Sequence, residues 1–406
     1  MTDHVHGDRD RVTRGSFGEV FRVFLKLGLT SFGGPIAHLG YFRAELVERR
    51  RWIGESGYAD LVALCQFLPG PASSQVGFAL GLLRAGFLGA LAAFLAFTLP
   101  SAILLVAFAY GADVFGGPIG HGVISGLKIV AVAIVAQAVW GMARSLCPDR
   151  ERATIAVGAV LVLVVSGDAL GQIAAIVLGA LAGLAWCRGS ALAASTQLSF
   201  GVSRKIGIAC LILFATLLVG LPLLASGVGS QSLVVFSAFY RSGSLVFGGG
   251  HVMLPLLEAE TVRTGWVSAD AFLAGYGAAQ AMPGPLFTFA AYLGAVLGPA
   301  PNAVVGATIA LVAIFLPGFL LLLAALPFWD VLRGRSKMQA IMRGVNAAVV
   351  GILGAALYDP VFTSAVVDRR SFALALTCFA LLMVWNAPPW LVVLLGTLGG
   401  ILIGAR

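Results

Sequence analysis

Charge is what this chain most lacks. Asp, Glu, Lys and Arg make up 11% of its 406 residues, against 59% hydrophobic residues. A water-soluble domain is roughly a quarter charged, so an aqueous fold is excluded. No polar stretch is long enough to form a separate soluble catalytic or regulatory domain. Cysteine is also scarce. Cys65, Cys147, Cys187, Cys210 and Cys378 are scattered through apolar runs without a Cys-x-x-Cys spacing. An odd, dispersed set argues against a disulfide framework or a zinc site, and the five read as small packing residues. There is no Gly-x-x-x-x-Gly-Lys-Ser/Thr loop to hold ATP and no His-Glu-x-x-His. The expectation is therefore no enzyme, no catalytic residues, no metal and no cofactor. The net charge is +8, but there is no basic patch on a soluble domain, so nucleic acid is not an expected partner. In a membrane protein such an excess belongs to cytoplasmic loops.

What the chain has is long apolar runs. Gly86 to Tyr110 and Ile206 to Ser226 are free of charge, and each can cross roughly 30 Å of hydrocarbon as a helix. The ten-residue alternation of an outer-membrane barrel is absent. The first apolar run carries Arg22 and Lys26 and lacks a small-residue cleavage site, so no removable signal peptide is expected. The fold class is an all-α integral membrane protein.

The chain also repeats itself. Phe21 to Leu39 reads FRVFLKLGLTSFGGPIAHL, and Phe236 to Leu254 reads FSAFYRSGSLVFGGGHVML. Phe21/Phe236, Phe24/Phe239, Gly28/Gly243, Phe32/Phe247, Gly33/Gly248, Gly34/Gly249 and Leu39/Leu254 are identical in one register. Lys26/Arg241 keeps its charge, and Glu45 falls opposite Glu260. Further on, Gln66-Phe-Leu-Pro-Gly-Pro71 faces Gln280-Ala-Met-Pro-Gly-Pro285, Leu99-Pro100 faces Leu316-Pro317, and Gly126-Leu-Lys faces Gly344-Val-Asn. Ordered blocks with matching Gly, Pro and Gln mark a duplication. The expected division is a cytoplasmic tail over 1–16, a first repeat over 17–190, a linker with one crossing over 191–230, and a second repeat over 231–406.

Basic residues cluster at Arg9 to Arg14, Arg43 to Arg51, Arg84, Arg144 to Arg152 and Arg188 to Lys205, whereas Asp113 to His121 and Gly167-Asp168 hold none. By the positive-inside rule, Phe17 to Leu46 enters the membrane and returns, and Tyr58 to Leu83 does the same. Crossings then follow near 87–111, 121–143, 153–166, 169–187 and 206–226. The odd number of crossings between equivalent points inverts the second repeat. This threading puts Arg333, Arg335 and Lys337 inside and Arg369 and Arg370 outside, with about 10–14 helical segments in all.

Proline and glycine forbid continuous helix at Phe32-Gly33-Gly34-Pro35 and Pro69-Gly70-Pro71, and again at Gly248-Gly249-Gly250 and Pro283-Gly284-Pro285. Tyr58 to Leu68 and Ala72 to Leu83 are half the usual spanning length. Broken backbone at membrane depth must be buried in protein or line a wet cavity. Paired breaks in two halves are the strongest sequence pointer to a transporter's binding site. Pro71 and Pro285 suit the first position of a following helix, whose amides favour an anion. Ser73, Ser74 and Gln75 add donors there; Leu286, Phe287 and Thr288 are a poorer set. Simple turns between packed helices are the alternative. Lys26 and Arg241, two turns before each Phe-Gly-Gly, are candidate partners of an anion, or they snorkel to the interface. Lys128 is a weaker candidate, because its counterpart is Asn346. Gln66 and Gln280 line the site or bridge helices. Glu45, Glu258, Glu260, His38 and His251 are candidates for carrying protons. Glu45 beside Glu48-Arg-Arg-Arg51 reads equally as a salt-bridged interfacial face.

These blocks resemble the chromate ion transporter family in its long form with two homologous domains. The resemblance rests on Phe32-Gly-Gly-Pro35, on Trp52 before Gln66-Phe-Leu-Pro-Gly-Pro71, on Thr98-Leu-Pro100, and on Phe247-Gly-Gly-Gly-His-Val-Met-Leu-Pro255 followed by Pro283-Gly-Pro285. It runs over about 17–143 and 232–358. It implies a multi-pass protein of the plasma (inner) membrane that exports chromate from the cytoplasm by secondary transport, with protons as the driving partner and sulfate as competitor. A homodimer is compatible with it. A tetrahedral dianion suits convergent amides, hydroxyls and one or two cations. The alternatives are a transporter of another oxyanion such as sulfate, a passive channel, or a membrane-embedded enzyme.

Overall fold

The computed structural model describes residues 15–112, 118–166, 169–187, 200–298, 300–329 and 335–404. The tail through Arg14, most of the Asp113 to His121 gap, Gly167-Asp168, the start of the linker with Arg188, and Arg333 lie outside the described residues.

Among the described residues the protein is all helical, with sixteen α-helices and no strand. The first repeat holds α1 (Phe17–Thr30), α2 (Gly34–Phe42), α3 (Glu55–Phe67), α4 (Ala72–Ala112), α5 (Pro118–Leu146), α6 (Arg150–Ser166) and α7 (Ala169–Trp186). After α8 (Arg204–Val228) come α9 (Gln231–Ser244), α10 (Met253–Thr261), α11 (Ala269–Ala281), α12 (Phe289–Ala295), α13 (Ala303–Ala325), α14 (Ser336–Ala356), α15 (Arg369–Met383) and α16 (Pro389–Gly404). Among the described residues, five segments are long and apolar enough to cross a membrane: Ala72–Gly111, Gly120–Leu146, Arg204–Val228, Ala303–Phe328 and Ser336–Ala365. Leu170–Trp186, Leu286–Ala295 and Pro389–Ile403 are shorter apolar helices.

Local chemistry explains the boundaries. Ser16 caps α1 by accepting from the Glu19 amide, satisfying one of the orphan donors of a helix start. α4 is two limbs, because Ala85 (φ −140°) and Gly86 (φ 66°) leave helical geometry. The limb 72–84 closes a hairpin with α3, and a second helical limb begins at 87. The breaks sit at Gly33 (φ 97°), Gly34 (φ 81°), Gly70 (φ 115°), Gly248 (φ 75°), Gly249 (φ 148°) and Gly284 (φ 102°). Only glycine takes such backbone cheaply. α8 is apolar all round and mostly exposed, as a lipid-facing crossing would be.

The repeats exchange their last helices. α16 of the second repeat packs along α5 of the first, while α7 of the first packs along α14 of the second. Glycine makes both contacts close. A Cβ added to Gly126 would lie 2.6 Å from the Thr397 Cα, and one on Gly183 would lie 2.7 Å from the Gly344 Cα. Small residues that let helix backbones touch are the usual means of association in lipid. The matched Gly126 and Gly344 thus do the same job in opposite directions. Between the repeats, Phe78 stacks on Phe319 at 4.5 Å and Phe94 meets Phe315 edge-on at 5.1 Å.

Candidate functional site

The breaks of the two repeats meet each other. The Gly70 amide donates to the Val246 carbonyl at 2.7 Å, and the Gly284 amide donates to the Ser31 carbonyl at 2.9 Å. Gly70 and Gly284 are repeat equivalents, and so are Ser31 and Val246, each just ahead of a Phe-Gly-Gly. One hydrogen bond is therefore the symmetry mate of the other. The same exchange governs packing. A Cβ on Gly70 would lie 3.0 Å from the Gly318 Cα, and one on Gly284 would lie 2.7 Å from the Ser101 Oγ; Gly318 and Ser101 follow Pro317 and Pro100. Pro35 meets its own counterpart, since a Cβ on Gly250 would lie 3.3 Å from the Pro35 Cγ. Pro69-Gly70-Pro71, Pro283-Gly284-Pro285 and the two Phe-Gly-Gly segments form one junction about a local two-fold relation.

Beyond the junction the two copies diverge. Pro71 stands one place ahead of α4, because its carbonyl accepts the first helical bond, from the Gln75 amide at 2.9 Å. Ser73 and Ser74 are buried in the first turn. Pro285 is extended (φ −71°, ψ 132°), so it too precedes its helical segment, which is a 3-10 turn over Leu286–Thr288 leading into the seven-residue α12. The Thr288 hydroxyl is committed to the Pro285 carbonyl at 2.7 Å. The first break thus opens onto a full helix start with its amide polarity; the second does not.

A buried polar group lines the first break. His38 on α2 places Nδ1 3.4 Å from the Ser73 Oγ, sets its ring edge-on to Phe97 at 5.4 Å, and lies beside the Ser31 carbonyl. The Gln75 amide nitrogen donates to the Pro69 and Gly318 carbonyls at 3.0 and 2.9 Å, clamping the break to the other repeat. Ser31 Oγ, His38 Nε2, Ser74 Oγ, Gln75 Oε1 and Thr98 Oγ1 have no hydrogen-bond partner among the described residues. All five residues are at most 3% exposed. An unpaired buried polar group costs about 1–3 kcal/mol, so a concentration of them at one break calls for a chemical reason.

The charges named from sequence are arranged differently from free cations facing a site. Lys26 is 3.4 Å from Glu45, and Arg241 is 2.6 Å from Glu260. The matched cation and the matched carboxylate of each repeat pair with each other. Glu45 is further held by Arg49 at 3.0 Å and Arg50 at 2.7 Å. The Lys26 side chain is 54% exposed and that of Arg241 38%. Glu258 pairs with Arg263 at 3.2 Å, and Lys128 pairs with Asp270 of the other repeat. Gln66 is exposed whereas Gln280 is buried, so identical letters sit in unlike places. His251 Nδ1 lies 2.7 Å from the Tyr276 hydroxyl. Sequence reasoning missed Ser31, Ser101 and Tyr276 and used Thr98 only as part of a motif. The available signal was adjacency, since Ser31 abuts Phe-Gly-Gly and Ser101 abuts the helix-internal Pro100.

The family profile described as "Chromate transporter" matches residues 18–184 and again 233–401. The chromate transport protein of Pseudomonas aeruginosa is 30% identical over 359 residues, covering 85% of this chain and 81% of the relative. The probable chromate transport protein of Synechococcus elongatus is 27% identical over 403 residues, 96% of both chains. The chromate transport protein of Cupriavidus metallidurans is 29% identical over 375 residues, 90% of this chain and 87% of the relative. No solved structure matches. A profile that fits the chain twice, over the two repeats whose breaks interlock, makes this protein a two-repeat, multi-pass membrane protein of the chromate transporter family.

Proposed function

We propose that the protein is a secondary active transporter that exports chromate from the cytoplasm across the plasma membrane, drawing on the proton gradient. The two repeats, 17–190 and 231–406, are inverted about the 191–230 crossing, and the tetrahedral dianion binds where their breaks meet. The observation that carries this reading is the reciprocal pair of hydrogen bonds, Gly70 to Val246 and Gly284 to Ser31. Two interruptions that meet inside the bilayer leave backbone amides and small glycines around one spot, which suits a small anion. The seat comprises Gly33, Gly34, Pro69, Gly70, Pro71, Ser73 and Ser74 with Gly248, Gly249, Gly250, Pro283, Gly284 and Pro285.

Lys26 and Arg241 act at the approaches. Each can release its own glutamate to engage the arriving anion. Glu45 and Glu260 give up their protons to the cytoplasm before the anion is loaded and regain them from outside after it leaves, so proton and oxyanion cross in opposite directions. His251 with Tyr276, and the two glutamines Gln66 and Gln280, line the path. The test is uptake of labelled chromate into inside-out vesicles, with and without an uncoupler, and with sulfate as competitor. Uptake that saturates and collapses with the uncoupler is expected. Uptake indifferent to the uncoupler removes proton coupling, and preferential uptake of sulfate moves the substrate to that oxyanion.

A further inference from the structure

The duplication has kept the backbone of both breaks and the polar chemistry of only one. Ser31 stands opposite Val246, His38 opposite Met253, Ser73 opposite Phe287, Gln75 opposite Phe289, and Thr98 opposite Phe315. Ser74 alone keeps a hydroxyl opposite it, in Thr288, and that hydroxyl is already satisfied by the Pro285 carbonyl. Three of the polar members adjoin one another. His38 touches Ser73 and lies beside the Ser31 carbonyl, which itself receives the Gly284 amide. Gly284 in turn has its α-carbon face against Ser101 and the Phe97 carbonyl, in the turn that carries Thr98. Among the described residues of the second repeat the unpaired buried atoms are Arg241 Nε, Gln280 Nε2, Trp329 Nε1 and Asn346 Oδ1, none at a position equivalent to those of the first break.

We infer that the oxyanion seat is not shared equally but is built by the first repeat, with Ser31, Ser74 and Thr98 hydroxyls and the His38 imidazole as its donors. Ser73 orients His38, and the second repeat contributes the Gly284 loop that closes the seat. This inference rests on the proposed oxyanion transport and assigns its binding groups. The chemistry is consistent. Lys26 and Arg241 act at the approaches, so at the seat itself neutral donors must replace water around the anion, and hydrogen bonds to a charged acceptor are the strong kind. The three hydroxyls and His38 Nε2 have no hydrogen-bond partner among the described residues, in side chains at 3% exposure or less, which is the arrangement expected of groups whose partner is the ligand. The equivalent space in the second repeat is filled by Phe287, Phe289 and Phe315, all buried, and is a structural copy.

The experiment uses the purified full chain and two readouts, chromate and sulfate binding by calorimetry and labelled chromate flux in proteoliposomes. Thr98→Val and Ser74→Ala are expected to weaken oxyanion binding roughly 10- to 100-fold, the loss of one hydrogen bond to a charged group. Because each removes a polar atom that is unpaired in the empty protein, melting temperature should hold or rise. His38→Met, which installs the second-repeat residue, should weaken binding likewise. Thr288→Val should lower melting temperature and leave affinity unchanged. The inference is overturned if the first-repeat variants bind as the unaltered protein does, if they lose affinity only in proportion to lost stability, or if the unaltered protein binds neither oxyanion. If binding follows the expected pattern but chromate is not moved, the seat stands and the proposed transport is what fails.

Discussion

Ser73, Ser74 and Gln75 follow the first Pro-Gly-Pro; Phe287, Thr288 and Phe289 follow the second. Both loops use a left-handed glycine and both amides cross to the other repeat at nearly the same distance. Backbone and side chain have therefore come apart in this duplication. The backbone scheme is demanded twice, because each repeat supplies half of the other's hydrogen bonds. The side-chain scheme is kept in one copy only. Where the first break leaves five buried polar atoms without a partner among the described residues, the second packs aromatic rings against one another, with Phe287 and Phe315 centred 5.5 Å apart.

That comparison can be broken at its strongest point. Gly70→Leu and Gly284→Leu should each abolish vesicle transport, since both need φ above +100° and both lie against the opposing repeat. Loss from only one of them would mean that the junction is not reciprocal. Next in size are the cations. Lys26→Ala and Arg241→Ala should each cut chromate flux several-fold without changing membrane insertion, and the double variant should be inactive. If cells expressing the double variant normally remain protected from chromate, the role given to these pairs is wrong. Gln75→Leu removes the clamp on Pro69 and Gly318 and should destabilise by about 1–3 kcal/mol, read as a lower denaturation midpoint. Phe289→Leu, at the equivalent second-repeat position, should act through packing alone.

The smallest effect concerns a loop outside the spans. The Ser371 amide, donating at 2.7 Å, holds the Asp368 carboxyl below its ordinary value of 3.8. A depressed carboxylate contributes stability above its unfolded value and loses it as pH falls through the folded one. Asp368→Asn should thus melt slightly earlier than the unaltered protein at pH 7, and the two curves should merge as pH drops below about 3.8.

Much of this architecture was legible because glycine and proline act locally. The breaks at Gly33 and Gly70, the helical limb that begins at 87, and α8 could be placed from breakers and apolar length alone. Pairing could not. Glu45 and Lys26 are separated by a break, so no helical spacing joins them, although the same separation recurs between Arg241 and Glu260. Gln66 and Gln280 show the converse limit, since equal residues at equal positions took different exposure once the repeats met unlike neighbours. The asymmetry of the lining was present in the sequence all along. It lay in the positions where the repeats disagree, whereas identity draws the eye to where they agree.

The exchange of α7 and α16 carries a mechanical consequence. A hairpin that belongs to one half by chain order belongs to the other by contact, so the bodies able to move as units cannot be the halves that gene duplication produced. One body joins α5 to α15 and α16, and another joins α14 to α6 and α7. Under the transport proposed above, the pivot would fall where these mixed bodies meet the broken segments, with the glycine loops serving as the flexures.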